Sequence, residues 1–141
     1  MRVPMHLLLF ALLPVFAPAA SADDAGRQFA LELNALGANE AGCRISFVAT
    51  NALRSDLEKA SFEVVLFNSD GLVEKMLVLD FGALPAGKTK VRQFDLSGLS
   101  CERISRLLVN DVAECKGADV ARGDCLAALT TSNRTAIRFG L

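Results

Sequence analysis

The sequence predicts an all-β protein, an antiparallel sandwich of about seven strands with short helical turns in its loops. Three observations lead there. Apolar residues recur at every second position through much of the chain, breaks rich in Gly, Pro, Asn and Asp follow at short intervals, and no stretch sustains a helical period.

Residues 1–22 stand apart from this pattern. Arg2 and the amine give a positive end, residues 7–16 an apolar run, and Ala20, Ser21 and Ala22 an A-x-A site, so a cleavable signal peptide is expected. The run falls short of the ~20 residues that span a bilayer as a helix, and no comparable run follows, so no transmembrane anchor is expected. Residues 23–141 then form one domain, which is expected in the periplasm. The only histidine, His6, lies in the leader, and Trp and Tyr are absent throughout. The domain is left with a charge of about −2 and no polybasic tail, which argues against nucleic acid as a partner.

The strands follow in order. Residues 27–36 alternate, with Phe29, Leu31, Leu33 and Ala35 on one face. Next comes the cleanest alternation in the chain, with Cys43, Ile45, Phe47 and Ala49 inward. In residues 51–60 the alternation breaks, and Ser55-Asp56-Leu57-Glu58 has the S-x-x-E form of a helix-capping box, predicting a turn or two of helix.

The centre of the chain, residues 61–96, reads as three antiparallel strands in series. Both faces of residues 62–67 are largely apolar, which suits a strand inside a sheet. Asp70-Gly71 supplies residue types suited to a tight hairpin. A second break at residues 82–87 leads to a strand near residues 89–96. Val91 is out of phase with Phe94 and Leu96 there, through a bulge or because it faces the other side. Residues 104–113 are the next apolar run, residues 119–129 carry a short helical pattern, and residues 134–139 alternate as a closing strand.

The four cysteines, Cys43, Cys101, Cys115 and Cys125, all lie in the domain. In an exported protein an even number reads as two disulfides. The expected pairing is Cys43 with Cys101 and Cys115 with Cys125, worth about 4 and about 3 kcal/mol respectively in the chain-entropy model. A zinc site would need all four thiolates, and the cysteines lack the close pairing that such sites use.

On the segments CRISFVATN, FEVVLFNSDG and LPAGKTKVRQFDL, in that order, the chain resembles small exported bacterial proteins with an immunoglobulin-like or fibronectin-like sandwich. The resemblance implies that architecture. It departs from antibody-type domains in lacking the core Trp and the corner Tyr, and implies no binding residues.

No set of residues specifies a reaction. Without histidine the usual activating base is missing, and no G-x-S-x-G occurs. Asp111 and Glu114 fall on opposite faces of a regular strand, which separates them as a carboxylate pair. Asp119 and Asp124 lie in a loop without a calcium-binding pattern. No catalytic residue, cofactor or metal ligand is therefore assigned.

The sharpest surface feature is Lys88, Lys90 and Arg92, spaced by two along one strand. Such a stripe either shields a sheet edge or docks an acidic partner or an anionic envelope component. The function expected is that of a non-enzymatic periplasmic binding or accessory module that interacts with another cell-envelope protein, with Lys88, Lys90 and Arg92 as the candidate contact. The alternative is a secreted inhibitor or chaperone-like protein acting through the loop closed by Cys115 and Cys125.

Overall fold

The computed structural model describes residues 26–141; the expected signal peptide lies outside the described residues. The described chain is all-β. Its strands are β1 (Phe29–Asn39), β2 (Gly42–Asn51), β3 (Leu57–Phe67), β4 (Val73–Leu84), β5 (Thr89–Ser97), β6 (Arg106–Lys116), β7 (Leu129–Asn133) and β8 (Arg138–Gly140). A 3-10 turn, Cys101–Arg103, precedes β6, and one helical turn, α1 (Asp124–Ala127), precedes β7. Two four-stranded sheets result, in the orders β5-β2-β1-β7 and β4-β3-β6-β8.

The inner faces follow from the period-two pattern. Phe29, Leu31 and Leu33 of β1 and Cys43, Ile45 and Phe47 of β2 are buried against Phe62, Val64 and Leu66 of β3 and Leu79 and Phe81 of β4. Aromatic contacts join the layers. Phe29 meets Phe62 at 5.3 Å between ring centroids, Phe47 meets Phe81 at 5.6 Å, and Phe81 meets Phe94 at 5.3 Å. Each such pair adds roughly 0.5–1.5 kcal/mol beyond its buried area. As its two apolar faces predict, β3 lies inside its sheet, between β4 and β6.

Both predicted disulfides are present. Cys43 joins Cys101 and Cys115 joins Cys125. The first fastens the start of β2 to the 3-10 turn, and the second holds α1 against the end of β6. At the start of β2 the chain also needs a glycine. A Cβ on Gly42, at φ +149°, would lie 2.3 Å from the Leu96 carbonyl oxygen.

Several expectations change. The three central runs are not one meander: β3 and β4 form a hairpin, but β5 pairs with β2 in the other sheet. The turn before β5 is tied to the end of β2, because Gly87 N donates to Asn51 O and Asn51 N to Lys88 O, so the strand leaving it continues along β2. Val91 simply faces outward, with no register shift between β2 and β5.

The capping-box segment forms no helix. Asp56 Oδ1 accepts from Ala86 N at 2.8 Å, Leu57 is buried opposite Leu84, and β3 already begins at Leu57. On β1 a bulge between Leu33 and Ala35 reverses the phase, so Leu36, not Ala35, packs against the core. The helical pattern over residues 119–129 contracts to α1, and the closing strand to β8. Between them lies β7, which the sequence reading missed; it pairs in parallel with β1.

Candidate functional site

Strands β4 and β5 end their respective sheets on the same side of the sandwich, and this shared margin carries the predicted basic stripe. Register decides where the charges point. On β5, Lys90 lies opposite Ala49, Arg92 opposite Phe47, Phe94 opposite Ile45 and Leu96 opposite Cys43, so all four share the core-facing side of the strand. At the rim the two cations reach across to the other sheet. Lys90 Nζ donates to Ala83 O at 2.6 Å and Arg92 to Asp80 O at 3.2 Å. Lys88 is not in the strand; it sits exposed in the turn, where its backbone joins Pro85 and Asn51.

Lys90 and Arg92 therefore form a clasp over the second half of β4. Inward-turned charges that occupy edge carbonyls are one way in which sheets discourage further strand pairing. The first half of β4 has no such cover. There Val73, Met76 and Val78 are exposed, as is Leu72 in the preceding turn. Met76 and Val78 face outward beside Val65 and Glu63 of β3, and Val65 lies in turn beside Leu108 of β6. An apolar band thus crosses three strands from an open edge.

The hairpin that carries this band is firmly built. Asn68 Oδ1 accepts from Asp70 N and Leu72 N, Asn68 N donates to Leu72 O, and Gly71 takes φ +77°. Glu74 accepts from Arg103 at 2.6 Å and from Asn68 at 3.0 Å, and these two donors, Arg103 first, hold its carboxyl below the usual range. At the hairpin's end of β6, Arg106 stacks over the Phe67 ring at 5.3 Å.

The other half of the same outer face is charged. Lys59 pairs with Glu114 and, at 3.7 Å, with Asp80, while Lys116 reaches Glu114 at 3.1 Å. Glu114 is held low by Lys59 first and then Lys116, and Lys59 is correspondingly raised. Bulges on β6 place Asp111 opposite Glu63 and Glu114 opposite Ser61, and so bring both carboxylates to this face, contrary to the regular-strand expectation. They are separately engaged, Glu114 with the two lysines and Asp111 with Arg122 at 3.8 Å.

Asp119 and Asp124 line an open cleft of about 660 Å³ together with Arg27, Arg54 and Leu53. Asp124 Oδ2 accepts from Ala121 N at 2.8 Å, which makes it a turn-forming group. The disulfide-closed loop is tied to its own sheet, because Arg122 donates to Val112 O at 2.8 Å. Among the described residues no group of three His, Cys, Asp or Glu side chains is placed to hold a metal ion, and no helix is long and apolar enough to cross a membrane.

Sequence reasoning identified Lys90 and Arg92 but not their targets, since a spacing of two does not say which face a strand buries. The open half of β4 was missed. Its signal was present in Leu72, Val73, Met76 and Val78, an apolar set in excess of what the core-facing positions of one strand require. Comparison of the chain with protein-family models, with curated proteins and with solved structures finds no match.

Proposed function

We propose that this protein is a non-enzymatic periplasmic binding or accessory module that interacts with another protein of the cell envelope. One observation carries the reading: the exposed large apolar side chains concentrate on the hairpin of β3 and β4, where Leu72 in the turn and Val73, Met76 and Val78 of β4 are each more than half exposed. Apolar surface gathered in this way marks an interaction site more often than scattered surface residues do. The two disulfides fit an oxidising compartment outside the cytoplasm. The strand orders β5-β2-β1-β7 and β4-β3-β6-β8 are compatible with an immunoglobulin-like sandwich extended by β7 and β8.

The test is mild cross-linking in native cell envelopes, comparing the wild type with Met76→Lys/Val78→Lys. A stoichiometric protein partner held by the wild type and lost from the variant, at an unchanged unfolding midpoint, supports the reading. Equal capture by both removes this face from consideration. Amino-terminal sequencing of the exported protein, with Asp23 as the first residue expected, checks the leader.

A further inference from the structure

The way in which the partner is held is open to a sharper statement, which rests on the docking reading above. We infer that the uncovered half of β4, residues 73–78, accepts an extended segment of the partner as an added strand, and that this segment alternates apolar residues with carboxylates.

The first ground is the geometry of the edge. β4 is the terminal strand of its sheet, and its register with β3 is regular from Lys75 to Asp80. The Asp80 carbonyl points off the edge, since it receives Arg92 from the other sheet. In a regular antiparallel strand main-chain groups alternate in direction, so Met76 and Val78 also turn their N–H and C=O groups off the edge. The clasp closes residues 80–83 and stops there. Such an edge is a template for strand addition, in which main-chain bonds give affinity and alternate side chains give specificity.

The second ground is charge. Along the β4–β5 margin stand Lys75, Lys88, Lys90 and Arg92, and no ion pair joins any of them to a carboxylate among the described residues; Lys90 and Arg92 reach carbonyl oxygens instead. The acids of β4 are already engaged, Glu74 with Arg103 and Asp80 with Lys59. The margin is therefore cationic and complementary to an acidic segment. A second copy of this chain is a poor occupant, because its β4 offers a single carboxylate within residues 73–78, Glu74, and Arg103 already engages it.

Face alternation gives the pattern. Met76 and Val78 lie on the outer face, while Lys75 lies opposite Leu66 on the inner one, the side on which Arg92 also sits. An added strand therefore carries apolar side chains outward, alongside Met76 and Val78, and carboxylates inward, toward Lys75 and Arg92.

A display library of random ten-residue peptides, selected on the purified full chain, tests this. The expected winners alternate apolar residues with Asp or Glu, and bind at least tenfold more weakly to Lys75→Glu. Lys75→Gln, which removes the charge without reversing it, provides a second variant should the first fold poorly. Methylating alternate backbone nitrogens of a selected peptide is expected to abolish binding, and amide exchange at Met76 and Val78 is expected to slow in the complex. Winners without acidic preference, an empty selection, indifference to both charge variants, or unchanged exchange at those two amides would each overturn strand addition. If envelope capture still depends on Met76 and Val78 in that case, the docking face stands without this mode; if capture ignores them, the docking reading itself fails.

Discussion

Asn51, wholly buried at the end of β2, donates its side-chain amide to the Leu84 carbonyl at 2.8 Å and so binds the exit of one sheet to the last residue of β4 in the other. The same amide donates to Ser55 O at 3.0 Å, its Oδ1 accepts from Leu53 N at 2.9 Å, and its backbone holds Gly87 and Lys88. Asn51→Ala removes the side-chain partner of the Leu84 and Ser55 carbonyls and of the Leu53 N–H, and leaves the backbone bonds to Gly87 and Lys88 in place. With a penalty of roughly 1–3 kcal/mol for each orphaned buried group, a loss of about 3 kcal/mol is expected in urea unfolding. Asn51→Asp retains the acceptor but sets a carboxylate against two carbonyls, and is expected to be no better than alanine.

Two glycines, both at positive φ, differ in what surrounds them. At Gly42 an added Cβ meets the Leu96 and Leu99 carbonyl oxygens at 2.3 and 2.8 Å, so Gly42→Ala is expected to cost about 3 kcal/mol or more. At Gly71 nothing lies within 4 Å and only positive φ opposes a side chain, so Gly71→Ala is expected to cost about 1 kcal/mol. Equal midpoints for the two variants in a denaturant series would contradict the close approach at Gly42.

The disulfides differ in the length of chain that they close, 58 residues for Cys43–Cys101 and 10 for Cys115–Cys125. Replacing the first pair by serine is expected to cost about 4 kcal/mol and the second about 3 kcal/mol, with the larger loss at the longer loop. Calorimetry of the two double variants checks the order.

Acid should destabilise the fold through a defined set of pairs. Glu32 is held low by Asn34 and then Arg134, Glu74 by Arg103 and then Asn68, Asp95 by Arg44, and Glu114 by Lys59 and then Lys116. A carboxyl lowered in the folded state contributes stability that is present above its unfolded value and is lost as pH falls through its folded value. Stability is therefore expected to begin falling near pH 4.5, the ordinary glutamate value, and to keep falling below it. No histidine follows residue 22, so no such step is expected between pH 5 and 8. Glu74→Gln is expected to flatten the acid limb of midpoint against pH, and an unaltered limb would remove Glu74 from the set.

Opening the clasp tests edge protection directly. Arg92→Ala with Lys90→Ala uncovers the Asp80 and Ala83 carbonyls, and concentration-dependent association is expected in light scattering where the wild type shows less. Equal scattering by the two would mean that the clasp does not guard the edge.

The core was legible wherever alternation ran unbroken: Cys43, Ile45, Phe47 and Ala49 are all buried, as their spacing predicts. Alternation fails where register shifts. A bulge exchanged Ala35 for Leu36, and bulges on β6 gathered Asp111 and Glu114, because an extra residue reverses every face beyond it without changing composition. The sheet to which β5 belongs depends on hydrogen bonds between Asn51 and the turn before β5, residues far apart in the chain. For β7 the sequence LTTSN holds a single large apolar residue, so its strand character comes from main-chain pairing with β1. The candidate site was half visible, as cations without their acceptors.

The parallel pairing of β1 with β7 has a consequence for the order of folding. Phe29, at the start of the first strand, takes as its neighbour Leu129, a hundred positions later, and β8 then completes the opposite sheet beside β6. Each layer receives its last edge strand only when almost the entire polypeptide is available, and contacts of such long range form slowly. A chain that stops short of Leu129 therefore leaves β1 and β6 as bare edges, one on each layer.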